Sequence, residues 1–337
     1  MRLSGSLKAV VRSTLALAFA VSTTRQVEAQ PVKNYEAFFA ECSSEQCGRR
    51  LVVLRTFSQQ GEKRVLTVDP ATLETSVRSA AGLDLKALSW PELRIAIASD
   101  RYGRASTESE RNGHSPRDAG LTHALPAEKG VVLTMDLCPS TKHLDRQMIK
   151  AVIDAFEPEE KPVPIGIAIT GCWMRERPAE LAWLRDLEAR GDLAVTWINH
   201  SFNHRYTRSL PLAENFLLKP GTDLGQEILG TEKMMLESGL RPSVFFRFPG
   251  LVSNFDLVQR VTAYGLVPVG SDAWLAKNQI PTPGSIVLVH GNGNEELGIK
   301  RLLALIHREK SAIRSRNWLL FDLRESVTRE EPIPQRK

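Results

Sequence analysis

The stretch Leu193-Ala194-Val195-Thr196-Trp197-Ile198-Asn199-His200-Ser201-Phe202-Asn203-His204 decides how this chain is read. Its first six residues form a short apolar run of the kind that makes a buried strand. Two imidazoles follow at a spacing of four, and on one helical turn they would share a face and reach one metal ion. Open α/β sheets and barrels carry their chemistry at the C-terminal ends of parallel strands, where this pair would stand. Alone, a His-x-x-x-His pair is more often structural. Three other strand-like runs that end in residues of catalytic type set this one apart.

Val131-Val132-Leu133-Thr134-Met135 leads into Asp136. A carboxylate at the end of a buried strand pays for desolvation unless it is paired. Ser243-Val244-Phe245-Phe246 leads into Arg247, and a guanidinium there is expected to hold a carboxylate bidentately and keep it ionised. Pro249-Gly250 shapes the turn that follows. Ile286-Val287-Leu288-Val289 leads into His290 and the loop Gly291-Asn292-Gly293-Asn294, a position suited to a proton donor. Asp272, after Val269-Gly270-Ser271, is expected to hydrogen-bond that imidazole and raise its pKa.

The rest of the chain arranges itself around these runs. Strand-like segments fall at 131–136, 164–170, 193–198, 244–247, 266–269, 286–290 and 318–321. Helix-like segments at 143–156, 178–190, 224–240, 255–264 and 295–306 separate most of them. That alternation predicts a parallel sheet covered on both faces, more readily a barrel, complete or incomplete, than an open sheet. Residues 30–99 form a small N-terminal unit with a hairpin across Gln59-Gln60-Gly61-Glu62-Lys63 and no catalytic constellation. Residues 100–128 are poor in apolar side chains and read as a linker, with His114 and His123 exposed in it. Residues 129–325 hold the candidate site, and 326–337 form a polar tail.

The first 29 residues read as a signal peptide: Arg2, Lys8 and Arg12 precede an apolar core at 13–21 too short to span a bilayer, and Val27-Glu28-Ala29 is a cleavage site. An uncleaved anchor is the rival. Arg2, Lys8, Arg12, Arg25 and Glu28 carry +3 of the formal charge of +5, so the mature chain is near +2. With no basic stripe interleaved with aromatics, nucleic-acid binding is not expected. No stable membrane insertion is expected either, and the mature chain is placed in the periplasm or outside the cell. Four cysteines in an exported chain suggest disulfides, with Cys42–Cys47 and Cys138–Cys172 as the pairs.

Thr134-Met135-Asp136-Leu137-Cys138-Pro139, His200 to His204, Arg247-Phe248-Pro249-Gly250, Asp272-Ala273-Trp274 and Leu288-Val289-His290 resemble, in order and spacing, the motifs of the polysaccharide deacetylases, the NodB homology domain or carbohydrate esterase family 4. The resemblance covers about residues 130–325. It implies a NodB-type (β/α)7 distorted barrel, here with a small N-terminal appendage, and a divalent metal, usually zinc, that activates water against the acetyl group of an N-acetylated polysaccharide. By position it implies His200 and His204 as metal ligands, Asp136 as catalytic base, Arg247 as its positioner, His290 as catalytic acid tuned by Asp272, and Trp274 with Pro249 and Gly250 in the substrate pocket. Trp173 and Trp197 also fall at or near strand ends, where an aromatic face could stack on a sugar.

One departure matters. The family's second consecutive aspartate, a metal ligand, is Leu137 here. Asp136 turns to the metal, or Asp145, His143, Asn203 or Cys138 completes the site, or the metal is weakly held and the protein binds glycan without cleaving it. Catalytic zinc keeps three protein ligands and an open position, so two histidines alone would hold it poorly. A metal-dependent deacetylase remains the leading expectation, ahead of a catalytically silent glycan-binding protein and of an amidohydrolase opening another C–N amide.

Overall fold

The computed structural model describes residues 30–42, 44–126 and 129–327. The expected signal peptide and most of the expected tail lie outside these residues. Among the described residues no helix is long and apolar enough to cross a membrane.

The N-terminal unit is a five-stranded antiparallel sheet: β1 (Val32–Cys42), β2 (Leu51–Gln59), β3 (Glu62–Val68), β4 (Thr75–Ser79) and β5 (Leu85–Leu88), in the order β4-β3-β2-β1-β5. The expected hairpin is β2–β3. Gln60 and Gly61 both take positive φ in its two-residue turn, as a type I′ connection requires. Seven further strands run parallel: β6 (Gly130–Leu137), β7 (Val163–Ile169), β8 (Leu193–Asn199), β9 (Phe245–Phe246), β10 (Val267–Pro268), β11 (Ala273–Trp274) and β12 (Ile286–His290). Their order, β10-β9-β8-β7-β6-β12-β11, curls into a half-barrel, and β13 (Leu319–Leu320) pairs with the start of β6. This is the distorted (β/α)7 architecture that the resemblance implies, and the barrel-like parallel sheet that the alternating runs predict. Helices Arg146–Phe156, Pro178–Ala189, Leu224–Glu237 and Glu296–Arg314 follow the expected segments with shifted ends.

Strand alternation divides β6 between two environments. Val131, Leu133, Met135 and Leu137 face the helix layer and share one core with Met148, Val152, Leu184 and Leu302. Val132 faces the other way, into a core that joins the barrel to Val52, Leu54, Leu93, Ile97 and Tyr102. The N-terminal sheet therefore shares a core with the barrel strands. A buried ion pair ties the two: Arg55 donates from Nε and Nη2 to the two oxygens of Glu232 at 2.7 and 2.9 Å, both residues about 1 % exposed.

Within the expected linker, the described residues 100–126 carry regular structure that their composition does not suggest. Arg101–Arg111 is a helix that buries Tyr102, Ala105, Ser106 and Ser109, small and polar residues that an apolar count overlooks. Tyr102 hydrogen-bonds the Gly265 carbonyl, and Leu121 and His123 bridge to Val269 and Ser285. Cys42 and Cys47 form a disulfide. Cys138 and Cys172 do not. Leu137 and Ile169 are level on β6 and β7, but Cys172 lies further on, in the first turn of helix Gly171–Glu176 capped by Thr170, with its thiol toward Arg175 and Asn203.

Candidate active site

Four strand ends bring the chemistry together. Asp136 lies at the end of β6, His290 ends β12 level with it, His200 follows β8, and Arg247 follows β9, whose Arg247 amide donates to Asn199. Arg247 is fully buried, and each of its guanidinium nitrogens has a partner. Nη1 donates to Asp136 Oδ1 at 2.9 Å and to Thr134 Oγ1 at 2.7 Å, Nη2 to the Gly270 carbonyl at 2.9 Å, and Nε to the Val269 carbonyl at 3.3 Å. The expected bidentate grip on Asp136 is thus single. The other donors close the carbonyls after β10, which leaves Asp136 Oδ2 free to face His200 Nε2 at 3.7 Å. Burial would raise the Asp136 pKa. The charges of Arg247, His200 and His290 outweigh it and hold the carboxyl below its ordinary value.

The two histidines are together, but not on a helix. Ser201 and His204 take left-handed backbone angles, and the rings of His200 and His204 meet at 5.0 Å between centroids across a loop. Asn199 starts the reversal by accepting the Ser201 amide. Glu227, from the buried face of helix Leu224–Glu237, accepts the amides of Phe202 and Asn203 at 2.8 Å each and the Asn203 side chain at 2.7 Å. His200 Nδ1 donates to the Arg247 carbonyl at 2.9 Å, which leaves Nε2 facing the site. His204 Nε2 is buried and has no hydrogen-bond partner.

Among the residues named for the missing ligand, three are engaged elsewhere. Asp145 caps helix Arg146–Phe156, His143 pairs with Glu180 at 2.6 Å, and Asn203 pairs with Glu227. Cys138 is the one beside the histidines, with Sγ 3.5 Å from His200 Nε2. One donor atom each from Cys138, His200 and His204 lies within 4.8 Å of the others, and Asp136 is outside that group. An orphaned buried nitrogen beside a second imidazole and a thiol is a donor set that fits a divalent ion. Burial would raise the Cys138 pKa, but His204, His290 and His200 pull it well below its ordinary value.

His290 is not paired with Asp272. Its Nδ1 lies 2.8 Å from Glu295 Oε2, bent away from a linear hydrogen bond. Burial would lower the His290 pKa, and Cys138, Glu295 and Asp136 together lift it well above its ordinary value. Asp272 instead bonds His123 Nδ1 at 2.7 Å and accepts the Ile286 amide at 2.9 Å, because β11 turns it to the outer edge of the sheet. Trp274 donates Nε1 to the same Glu295 oxygen at 2.7 Å, and Lys277 Nζ covers its ring at 3.3 Å from the centroid. Trp173 and Trp197 are buried in the helix-side core, which withdraws both as sugar platforms. Pro249 and Gly250 form a tight turn after Arg247. Gly250 has φ 62°, and a Cβ there would stand 2.6 Å from the Phe216 ring.

Two carboxylates that contact the site residues were not foreseen. Glu295 follows a glycine-rich loop with no spacing signal. Glu227 has one: with Leu224, Ile228 and Thr231 it falls on a single helical face, and all four are buried.

No protein-family model matches the chain. Several solved structures are similar. A family 4 carbohydrate esterase from Bacillus anthracis is 19% identical over 66% of this chain and 90% of its own, with a TM-score of 0.44. A family 4 carbohydrate esterase from Streptomyces lividans, in complex with acetate, is 18% identical over 57% and 91%, with a TM-score of 0.38. A family 4 pseudoenzyme from Bacillus anthracis is 15% identical over 64% and 70%, with a TM-score of 0.43. These likenesses are partial and low in identity, and the site is read from this chain's own residues.

Proposed function

We propose that this protein is an exported, metal-dependent deacetylase that hydrolyses N-acetyl groups of a polysaccharide. The observation that carries the reading is the buried carboxylate of Asp136, fixed through one oxygen by Arg247 and turned through the other toward His200, with His290 level on the neighbouring strand. His200 and His204 would hold a divalent ion, zinc by donor chemistry. Such an ion, when bound, supplies Lewis-acid activation of a water and of the acyl carbonyl. Asp136, kept ionised by Arg247, takes the proton of the attacking water at Oδ2. His290, kept protonated, returns a proton through Nε2 to the departing sugar nitrogen, while Glu295 holds Nδ1. Closure of the carbonyls after β10 by Arg247 keeps that carboxylate from swinging away.

The test is acetate release from N-acetylglucosamine oligomers, purified peptidoglycan and an acetylated exopolysaccharide, with Asp136→Asn beside the wild type. A loss of about 10²-fold or more is expected. Near-normal release by the variant would remove Asp136 as base. A second reading, a silent glycan-binding protein, is favoured by one feature: Leu137, at the position the resemblance reserves for a ligand, is wholly packed in the helix-side core. Glycan binding with no release from any substrate would select it, and opening of a cyclic amide instead would select the amidohydrolase.

A further inference from the structure

We infer that Cys138 is a metal ligand, so that the centre is a thiolate–bis-imidazole site rather than a carboxylate one. This rests on the metal-dependent reading above. The reasoning starts from the strand. Side chains alternate along β6, so Asp136 and the residue two further on emerge on the barrel side while Leu137 goes to the helix-side core. Cys138 stands at that next inward position, and the Asn292 side chain donates to its carbonyl at 2.6 Å, pinning the backbone as the strand ends. Its sulfur is buried and no disulfide claims it.

The distances agree with one ion. Zinc bonds of about 2.3 Å to sulfur and about 2.0–2.1 Å to nitrogen, at a tetrahedral angle, separate the two donors by about 3.6 Å. Cys138 Sγ and His200 Nε2 are 3.5 Å apart. The whole group of three lies within 4.8 Å, and His204 Nε2 is buried without a hydrogen-bond partner. His200 is already oriented for the role, since its Nδ1 donates to the Arg247 carbonyl. One anionic and two neutral ligands leave a dication with net charge +1 and an open fourth position, the arrangement of catalytic zinc sites. Asp136 stays with Arg247 and is not drawn into the coordination. A thiolate also changes the preference among metals: zinc and cobalt are retained, and the hard ions magnesium, calcium and manganese are refused.

Cobalt(II) loading of the mature chain tests this without a substrate. Wild type is expected to bind about one cobalt and to show a near-ultraviolet thiolate-to-cobalt charge-transfer band, with the intense visible bands of a four-coordinate ion. Cys138→Ser should lose the near-ultraviolet band and bind zinc more weakly, by more than the about 10- to 100-fold typical of an outer-sphere loss. Cys172→Ser, the control for the other free thiol, should keep both. Circular dichroism checks that Cys138→Ser is folded, and bound zinc should protect Cys138 in wild type against alkylation under partial denaturation. Cobalt bound through His200 and His204 with no charge-transfer band would overturn the thiolate ligand and leave the metal-dependent reading standing. No binding of cobalt or zinc by the wild type would overturn both.

Discussion

Breaking the buried pair between Arg55 and Glu232 should destabilise the whole molecule, because it joins the N-terminal sheet to the barrel. Arg55 spends its guanidinium on both oxygens of Glu232 and on the carbonyls of Leu54 and Tyr264, at 2.7–2.9 Å, and Tyr35 donates to Glu232 at 2.9 Å. Water reaches neither charge. Glu232→Leu leaves a guanidinium with no counter-charge, and losing two charge-assisted bonds of about 1.5–3 kcal/mol each gives about 3–6 kcal/mol. This agrees with the about 3–5 kcal/mol measured when one member of a buried pair is removed. At an m-value of about 3 kcal/mol per molar, the urea midpoint should fall by roughly 1–2 M. Adding Arg55→Met and Tyr35→Phe removes the stranded polar groups together, and most of that loss should return, since apolar side chains of similar volume replace a buried pair at little cost. The assay is urea unfolding followed by tryptophan fluorescence and circular dichroism. A midpoint for Glu232→Leu within about 0.2 M of wild type would refute the docking of the sheet through this pair.

The other expectations concern the site. Glu295→Gln should lower kcat by about 10-fold or more with the fold intact, since His290 loses the carboxylate at Nδ1; unchanged turnover would detach Glu295 from the acid. Trp274→Phe keeps the ring and removes the bond from Nε1 to Glu295, so kcat should fall while KM holds; a raised KM at unchanged kcat would restore Trp274 as a glycan platform. Glu227→Ala removes the acceptor of two loop amides and the Asn203 side chain, and metal affinity should drop by about 10- to 100-fold by elemental analysis at limiting zinc; full occupancy would show that the loop holds His204 without it.

The barrel was readable because its strands are short, continuously apolar and each closed by a polar residue. Burial on both faces writes a run rather than an alternation, and the strand-end position of Asp136, His200, Arg247 and His290 followed directly from it. Parallel register then makes those ends meet. The loop from Ser201 to His204 was not readable. A spacing of four suggests a helical turn, and only the left-handed angles at Ser201 and His204 and the acceptor supplied by Glu227 decide for a loop. The helix Arg101–Arg111 was missed for a related reason: its buried face is built from tyrosine, glycine, alanine and serine, which fit against the sheet without raising the apolar content.

The carboxylate that serves His290 shows where sequence order fails and three-dimensional register takes over. Asp272 ends an apolar run and so looks like the other strand-end acids, but β11 pairs at the margin of the sheet, Ala273 beside Val287, and there the acid meets Ile286 and His123. Glu295 sits in a loop with no pattern of its own. It reaches His290 because Gly291 lets the chain turn tightly over β6: a Cβ at that position would stand 2.2 Å from the Met135 sulfur. The short loop then returns Glu295 to the mouth of the strand it has just left, where Trp274 holds the same oxygen. The strand-end imidazole of His290 thus takes its partner from the loop that follows it. The same logic places Cys138: the group beside the histidines is not the residue after Asp136 but the next one on its face.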